Sequence, residues 1–379
     1  MFKLGRWLLC WCVLVIVALA GCAGQSVEAL PTEVSPVQEA ADVEPGSAEK
    51  IQPEALLPEK VGIERDVDSA GGAEFRAIWV QIEAAKTPEQ AEAMLDRVVR
   101  GHFNTIFYCV GSGAAPYRSE LVTPLPSVTA EYDPLAYVVE QAHARGVSVH
   151  AWWSPGLIME YGSLRDVHPD WDIASLPDIP DDLHWANFSL PEVRRFVGDV
   201  VMEIVENYAV DGVHLDYIRY PDICSADGRP CQSFFDQEDI SLTVQDVYLR
   251  LRAYRPTIQL SAAVKANGED AAAHLQHWPD WLAEGSIDYV MPMAYLSPSR
   301  NERLVQYLTA WESLEGASRI VPGLSVFADS ASLQLKTPEQ LRKQLDLCAE
   351  HGFRSTAIFD ERLIDDRLLE ALAYFFSSP

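Results

Sequence analysis

The chain has 379 residues, 48% of them hydrophobic and 10% aromatic, which is enough for one large globular domain. Acidic residues outnumber basic ones by 56 to 29, and the formal net charge is −27. Such a charge argues against nucleic acid, anionic lipid headgroups and strongly anionic polymers as partners, because all three would be repelled.

The first 21 residues are typical of a bacterial lipoprotein signal peptide. Positive charge at Lys3 and Arg6 precedes a short apolar run, which ends in Leu-Ala-Gly-Cys at 19–22. A run of this kind with a small-residue cleavage site is a secretory signal rather than a spanning helix. We therefore expect cleavage ahead of Cys22 and a lipid on its sulfur, with an uncleaved anchor as the alternative. Ala23 in place of aspartate favours the outer membrane in a host with two membranes.

The segment 22–72 is predicted to be the lipidated cysteine followed by a flexible linker. It is rich in proline, glutamate and alanine, has few aromatic residues and ends in a pair of glycines. Such a composition cannot bury enough apolar surface to offset the entropy lost on ordering. The excess of acidic residues favours an extended chain. Residues 73–379 show no second change of composition and are predicted to form one domain.

Eight strand-like runs alternate with helical ones along this domain. The predicted strands are 75–82, 105–110, 147–153, 212–218, 258–264, 289–293, 320–325 and 356–359. They are nearly all apolar, as parallel strands covered on both faces are. Eight such units predict an α/β fold of the (β/α)8 TIM-barrel type. An open doubly wound sheet is the alternative, but no glycine-rich phosphate loop follows the first strand.

Four of the seven cysteines lie in the predicted domain. Cys224 and Cys231 flank a short turn in a chain expected to be exported, so we predict a disulfide between them. Cys109 lies in an apolar strand and Cys348 in a helix, and both are predicted to be reduced and buried. The spacing of cysteine and histidine predicts no metal site, and no cofactor is expected.

Residues 210–221 carry the most informative sequence, Val-Asp-Gly-Val-His-Leu-Asp-Tyr-Ile-Arg-Tyr-Pro. Asp216 falls at the end of an apolar strand, where a carboxylate is costly unless it is paired or used. In (β/α)8 enzymes the carboxyl ends of the strands meet at the active site, and this end of the barrel is called the mouth. We predict that Asp216 is catalytic; the alternative is an internal salt bridge with Arg219 that holds the loop.

The residues that follow the other predicted strands would line the same mouth. The predicted substrate contacts are Glu83, Trp152, Trp153, Asn187, His214, Tyr217, Arg219, Tyr220, Tyr295 and Asp360. Sugars bind to such mouths, because their apolar faces stack on aromatic rings and their hydroxyls take hydrogen bonds. Since adjacent strand residues point to opposite sides, one of the Trp152–Trp153 pair must face the interior. His214 either contacts a sugar hydroxyl or is a satisfied core histidine.

Segments spread over the domain match those of a known family in their order along the chain. Two of them are Asp-Gly-Val-His-Leu-Asp-Tyr-Ile-Arg-Tyr-Pro at 211–221 and Asp-Tyr-Val-Met-Pro-Met-Ala-Tyr at 288–295. The others are 74–80, 149–153, 168–171 and 191–194. On these motifs the chain resembles the glycosyl hydrolase-like 10 family. The resemblance implies a (β/α)8 barrel, a bacterial lipoprotein and hydrolysis of a polysaccharide, with cell-wall (peptidoglycan) glycan as the expected substrate.

Glycoside cleavage normally needs one ionised carboxylate and one protonated carboxyl. We predict that Asp216 is the ionised one, because the charge of Arg219 is expected to lower its pKa. Glu269 follows the fifth strand and is predicted to be the acid, by analogy with other barrels. The alternatives for the acid are Glu83, Asp270, Asp360 and Glu361.

Two further hypotheses belong to other functional classes. A non-catalytic, lipid-anchored glycan-binding protein would keep the aromatic residues without a working acid. The family's polar segment after the second strand is here Cys109-Val110-Gly111, which is compatible with altered or lost activity. A metal-dependent deacetylase would need clustered histidines at strand ends, and only His150 and His214 fall there, which disfavours it.

The lipid anchor gives the first testable prediction. Replacing Cys22 with serine should release the protein from membranes, because an acidic domain has no other predicted means of attachment. Membrane fractionation of cells that express the Cys22→Ser variant tests this, with the unmodified protein as control. A variant that stays in the membrane fraction contradicts the prediction.

Overall fold

Eight parallel strands close into a barrel in the computed structural model, which describes residues 74–160, 163–225, 227–329 and 334–377. The (β/α)8 fold predicted from the sequence is therefore confirmed. The predictions for the signal peptide, Cys22 and the linker lie outside the described residues.

The strands are numbered here in chain order. The barrel strands are β1 Arg76–Val80, β2 Thr105–Cys109, β5 Ser148–Trp153, β6 Gly212–Leu215, β7 Gln259–Lys265, β8 Tyr289–Met293, β9 Gly323–Ser325 and β12 Thr356–Phe359. Two short pairs lie outside the barrel: β3 Ala114–Ala115 with β4 Thr123–Pro124, and β10 Phe327–Asp329 with β11 Gln334–Leu335. The fourth barrel strand, β6, ends at Leu215 and not at residue 218, so Asp216 is the first residue beyond it.

Helices follow the barrel strands and cover the outside of the barrel. They are α1 Pro88–Arg100, α2 Pro134–Ala144, α3 Leu164–Val167, α4 Pro191–Asn207, α5 Asp239–Tyr254, α6 Gly268–Ala273, α7 Trp278–Glu284, α8 Asn301–Glu312, α9 Pro338–Glu350 and α10 Asp366–Ser377. Proline at the first helical position and a capping side chain ahead of it start several of them. Thr87, for example, accepts a hydrogen bond from the backbone N–H of Gln90. Among the described residues, none of the helices has the length and apolar character needed to cross a bilayer.

The side chains of the strands alternate between two hydrophobic clusters. The larger cluster fills the space between the strands and the helices and includes Trp153. The smaller one lies inside the barrel and includes Trp79, Phe107 and Trp152. The prediction that one of two adjacent tryptophans faces the interior is thus confirmed, and the interior residue is Trp152.

A buried hydrogen-bonded chain crosses the barrel interior at His214. The indole N–H of Trp79 donates to Nε2 of His214 at 3.0 Å, and Nδ1 lies 3.0 Å from the hydroxyl of Ser261. The ring of Phe107 stacks on the imidazole at 4.2 Å. Because both ring nitrogens are satisfied and the residue is fully buried, His214 is a core histidine and the predicted substrate contact is wrong.

A second histidine, His150, lies deeper in the same interior. Burial lowers its pKa to about 4, and burial likewise lowers the pKa of His214 well below its usual range. Gly212 leaves the space that this ring occupies, since a Cβ there would lie 2.5 Å from Nδ1 of His150. Both histidines are therefore neutral near pH 7, and the barrel core contains no buried imidazolium.

The predicted disulfide between Cys224 and Cys231 is present, with 4.8 Å between the two Cα atoms. It closes a loop that follows β6, and Arg229 in this loop lies 3.3 Å from Asp178 of the long segment after β5. Cys109 and Cys348 are free thiols, as predicted, but only Cys348 is fully buried and Cys109 is partly buried. The disulfide therefore closes the loop after β6, and the ion pair connects this loop to the segment after β5.

The buried histidine gives a prediction on stability. The pKa of His150 is about 4 in the folded state against 6.5 for an exposed histidine, so below pH 6.5 the unfolded chain binds a proton that the folded chain does not. The free energy of unfolding should therefore fall between pH 6.5 and pH 4, by roughly 3 kcal/mol from this residue. Urea unfolding at several pH values measures it.

The matched variants are His150→Leu and His102→Asn. The first should reduce the slope of stability against pH by about 1.4 kcal/mol per pH unit in this range. His102 is exposed and has a left-handed backbone (φ 58°) that asparagine tolerates, so its replacement should leave the slope unchanged. Equal slopes for the unmodified protein and His150→Leu would contradict the prediction.

Candidate active site

Asp216 is fixed from three sides at the mouth. Its Oδ2 accepts a hydrogen bond from the indole N–H of Trp152 at 3.2 Å, and its Oδ1 accepts one from the backbone N–H of Tyr217 at 2.7 Å. Nη1 of Arg219 lies 3.7 Å from the same Oδ1. The residue is 7% exposed, so a small part of it remains open to the mouth.

Burial dominates the ionisation of this carboxyl group. It raises the pKa of Asp216 above its ordinary value, and it outweighs Arg219 and the hydrogen bonds from Tyr217 and Trp152, which act in the opposite direction. Arg219 lowers this pKa, as expected from the sequence, but the expected net result, an ionised carboxylate with a depressed pKa, is wrong. The reason is that desolvation acts on the whole group and outweighs the single nearby cation.

The turn after Asp216 is strained and is held by the long loop that follows β5. Tyr217 has a left-handed backbone (φ 50°), which is uncommon for a residue with a side chain and occurs most often at functional sites. The indole N–H of Trp185 donates to the backbone oxygen of Arg219 at 2.7 Å. Gly156 allows the close approach, since a Cβ there would lie 2.3 Å from the oxygen of Tyr217.

Glu83 is a partly exposed carboxylate that follows the first barrel strand. It lies in a 3-10 turn, Ile82–Ala85. Burial first, and then the charges of Glu83 and Asp216, raise the pKa of the Cys109 thiol to about 12. The thiol of Cys109, which is partly buried, thus lies within the electrostatic influence of both carboxylates.

The carboxylates after β12 are buried in ion pairs. The side chain of Asp360 is fully buried and accepts hydrogen bonds from Nη2 of Arg362 at 3.0 Å and from its backbone N–H at 3.1 Å. Oε1 of Glu361 lies 2.6 Å from Nε of Arg97 in α1, on the side of the strands that faces the helices. Neither carboxylate can touch a glycan in this arrangement, so the predicted contact at Asp360 is wrong. Burial opposes the charge of Arg362, but Asp360 and Glu83 outweigh it and raise the pKa of Arg362.

Glu269 lies on the first turn of α6 and is exposed. Its backbone N–H donates to the capping side chain of Asn267 at 3.1 Å. The neighbouring Asp270 lies 3.5 Å from Nζ of Lys265. The structure places Glu269 in solvent rather than in the buried surroundings that keep a carboxyl protonated, and its role as the acid stays a prediction.

Three other predicted contacts are packing residues, and these predictions are wrong. Trp153 is fully buried and donates to the backbone oxygen of Ser112 at 3.2 Å. Tyr220 is also fully buried, and its ring stacks on Phe235 at 4.0 Å. The buried side chain of Asn187 accepts from the backbone N–H of Ser189 at 3.2 Å and forms the turn ahead of α4.

The aromatic residues that remain at the mouth are Trp152, Trp185, Tyr217 and Tyr295. Trp185 and Tyr217 are partly exposed, with ring centroids 5.8 Å apart. Tyr295 stacks on Phe359 at 5.1 Å, and burial together with the charges of Asp216 and Asp360 raises its pKa. Trp185 was not predicted as a contact from the sequence. The feature that could have indicated it is the length and aromatic content of the loop after β5.

The described residues contain no group of three histidine, cysteine, aspartate or glutamate side chains arranged to hold a metal ion. What they do contain at the mouth is a buried carboxyl, a partly exposed carboxylate, a buried arginine and several aromatic rings. Carboxyl groups and aromatic rings in this combination can form hydrogen bonds with the hydroxyls of a sugar and stack on its apolar face.

The fold and the site define a (β/α)8-barrel protein with a carboxylate at the end of its fourth strand. Residues 74–333 match the family model described as Glycosyl hydrolase-like 10, and the chain belongs to this family. It is 24% identical over 306 residues to glycosyl hydrolase YngK of Bacillus subtilis, which covers 65% of this chain and 59% of that protein. It is 26% identical over 276 residues to glycosyl hydrolase DigH of Escherichia coli K12, and the match covers 59% of this chain and 62% of that protein. The match thus spans less than two thirds of the length of either relative.

Solved structures with this fold include glycan-acting proteins. The PgaB (BpsB) glycoside hydrolase domain from Bordetella bronchiseptica has a TM-score of 0.64 and 12% identity, and covers 81% of this chain and 100% of that one. The spore cortex-lytic enzyme SleL of Bacillus cereus has a TM-score of 0.54 and 11% identity, with 80% and 75% covered. At this identity the likeness concerns the fold alone.

The contact between Trp152 and Asp216 predicts that the protonation of Asp216 can be followed by tryptophan fluorescence. Protonation of Asp216 removes a charge 3.2 Å from the indole nitrogen, so the tryptophan fluorescence should change with pH. The midpoint should lie above the usual aspartate pKa of about 3.9 because burial raises the pKa of Asp216. A fluorescence titration of the purified protein measures it.

Neighbouring tryptophans supply the control. Trp152→Phe and Asp216→Asn should both abolish the change, whereas Trp153→Phe should keep it because Trp153 faces the helices. A midpoint at or below 3.9, or a change that survives in Trp152→Phe, would contradict the assignment.

Proposed function

We propose that this protein is a glycoside hydrolase of cell-wall glycan in which Asp216 is the general acid and Glu83 is its ionised partner. The observation that carries the proposal is the buried carboxyl of Asp216, which lies at the mouth and whose pKa is raised. A general acid must hold its proton near the working pH, and burial is the usual means by which enzymes achieve this.

The role of Asp216 differs from that expected from the sequence. A depressed pKa would have suited an ionised nucleophile, whereas a raised pKa suits a proton donor to the leaving-group oxygen. The Trp152 indole and the backbone N–H of Tyr217 fix both oxygens, so the orientation of the carboxyl is set before substrate binds. Preorganisation of this kind lowers the barrier, because no reorientation is needed during the reaction.

Glu83 is the partner that the geometry supports best. The ionised carboxylate must be reachable by the sugar, and Glu83 is partly exposed whereas Asp360 is fully buried. Glu83 and Asp216 both act on the Cys109 thiol, and Glu83 also acts on Arg362.

The choice of substrate rests on the site and on the relatives. Trp185 and Tyr217 offer partly exposed rings beside Asp216, on which the apolar face of a sugar can stack. The curated relatives YngK and DigH are named glycosyl hydrolases, and SleL is a spore cortex-lytic enzyme. A lipid on Cys22 would hold the barrel at the envelope, where peptidoglycan is within reach of a linker of some 50 residues.

A non-catalytic glycan-binding protein is the second candidate. The observation in its favour is that Asp216 is only 7% exposed, which leaves little room for a leaving group to reach the acid. This candidate predicts binding of glycan with the same affinity in the unmodified protein and in Asp216→Asn, and turnover in neither.

The proposal predicts which carboxyl controls each side of the pH–rate profile. An acid must be protonated, so activity should fall as the pH rises through the pKa of Asp216. The ionised partner should control the acidic side. Asp216→Asn should lower hydrolysis of purified peptidoglycan glycan by about 10²- to 10⁴-fold, and much less for a glycoside whose leaving group needs no proton.

Variants of the rival carboxylates complete the experiment. Glu83→Gln should lose the acidic side of the profile and most of the activity, while Glu269→Gln should keep a profile like that of the unmodified protein. If Glu269→Gln loses one side of the profile and Glu83→Gln does not, then the second carboxyl of the pair is Glu269, which was predicted from the sequence as the acid. Unchanged turnover in Asp216→Asn would refute the proposal.

A further inference from the structure

The guanidinium of Arg219 is buried beside the acid without a full set of hydrogen bonds. The residue is 8% exposed, and its Nη1 has no hydrogen-bond partner among the described residues. The 3.7 Å to Oδ1 of Asp216 permits attraction between the charges but is too long for a hydrogen bond. A buried N–H without an acceptor raises the free energy of the unliganded state, so an acceptor brought by a ligand would be bound strongly.

The guanidinium of Arg219 has fewer directional contacts than the backbone of this residue. The backbone oxygen of Arg219 accepts the hydrogen bond from Trp185, whereas the guanidinium lies over the ring of Tyr217 at 4.4 Å from its centroid. This contact with the ring face fixes no individual N–H of the guanidinium in direction. Arg219 can therefore redirect Nη1 without moving the turn that carries it.

The surroundings of Arg219 favour an additional acceptor. Burial, and then the charges of Lys265 and Arg219, lower the pKa of His274, which shows that two cations lie close to one neutral imidazole. Lys265 has a carboxylate partner in Asp270 at 3.5 Å. Arg219 lies 3.7 Å from Asp216 and over the ring of Tyr217, and its Nη1 has no hydrogen-bond acceptor among the described residues. An oxygen atom placed beside Nη1 would supply that acceptor.

We propose that Arg219 changes partners when a glycan binds, turning Nη1 from Asp216 to an oxygen atom of the bound sugar. This inference rests on the proposed function, because it concerns the same acid. In the free protein the cation favours the ionised form of Asp216. After the exchange that effect is lost, and Asp216 takes up a proton from solvent. Glycan binding would thus protonate Asp216 before the glycosidic bond is broken.

The other groups that face Asp216 do not replace the effect of Arg219. From β2 the Cys109 thiol faces it, and from the segment after β8 the Tyr295 hydroxyl does; burial is the main cause that raises the pKa of both. From β5 the Trp152 indole donates without carrying a charge. Glu83 acts on Cys109 and Asp360 acts on Tyr295, and both of these carboxylates are negative. Arg219 is therefore the group whose movement changes the charge balance at Asp216.

The fluorescence titration of Asp216 through Trp152 tests the exchange on the full chain. It is run without ligand, with an N-acetylglucosamine tetramer, and with solubilised peptidoglycan glycan strands. In the unmodified protein a ligand should shift the midpoint upwards by about one pH unit or more, because a nearby opposite charge typically accounts for one to three units. In Arg219→Gln the free protein should already have the higher midpoint, and the ligand should shift it clearly less.

Two further variants keep the test decisive. Arg229 is exposed and paired with Asp178 in the nearby loop, so Arg229→Gln should titrate like the unmodified protein. Arg219→Lys retains a cation and should show a free-protein midpoint close to the unmodified one, even if Arg219→Gln folds poorly. Equal ligand shifts in the unmodified protein and Arg219→Gln, or no shift with either ligand, would overturn the exchange. A shift in a protein that hydrolyses neither ligand would support the exchange and refute the proposed hydrolase.

Discussion

The burial of one carboxyl group at the end of β6 is the constraint on which the rest of the mouth depends. Asp216 is 7% exposed, and a carboxylate in that position is tolerated only if neighbours satisfy it. Trp152, the backbone of Tyr217 and Arg219 do so from three directions. Each of these contacts needs a further support, which explains the strained backbone at Tyr217 and the hydrogen bond from Trp185 to the turn.

The fold could be predicted from the sequence almost completely, because it depends on patterns that repeat. Eight apolar runs separated by helical spacing leave few arrangements, and the alternation of side chains correctly placed one of Trp152 and Trp153 inside the barrel. The short turn between Cys224 and Cys231 was likewise enough to predict their disulfide. In each case the signal lies in residues that are close together in the sequence.

The candidate site could be predicted only in part, because a pattern gives the face of a strand and not the depth of a residue along it. His214 and Asp216 share a face, yet one residue lies in the sealed interior and the other at the mouth. Tyr220 and Asp360 were placed correctly near strand ends but are covered by Phe235 and Arg362, which come from other parts of the chain. The prediction of a lowered pKa for Asp216 was wrong for the same reason. Desolvation depends on every neighbour, and Arg219 is only one of them.

Depth along the barrel axis also separates the two kinds of polar group in this protein. Groups deep in the interior, such as His150 and His214, are kept neutral by burial and serve the fold. Groups at the mouth, such as Glu83, retain access to water. Asp216 lies at the boundary between these regions. Burial raises its pKa there, while Arg219 and the hydrogen bonds from Tyr217 and Trp152 act in the opposite direction. Because these opposing effects meet at this depth of the barrel, the ionisation of Asp216 depends on the residues around the mouth more than that of a group in the sealed interior does.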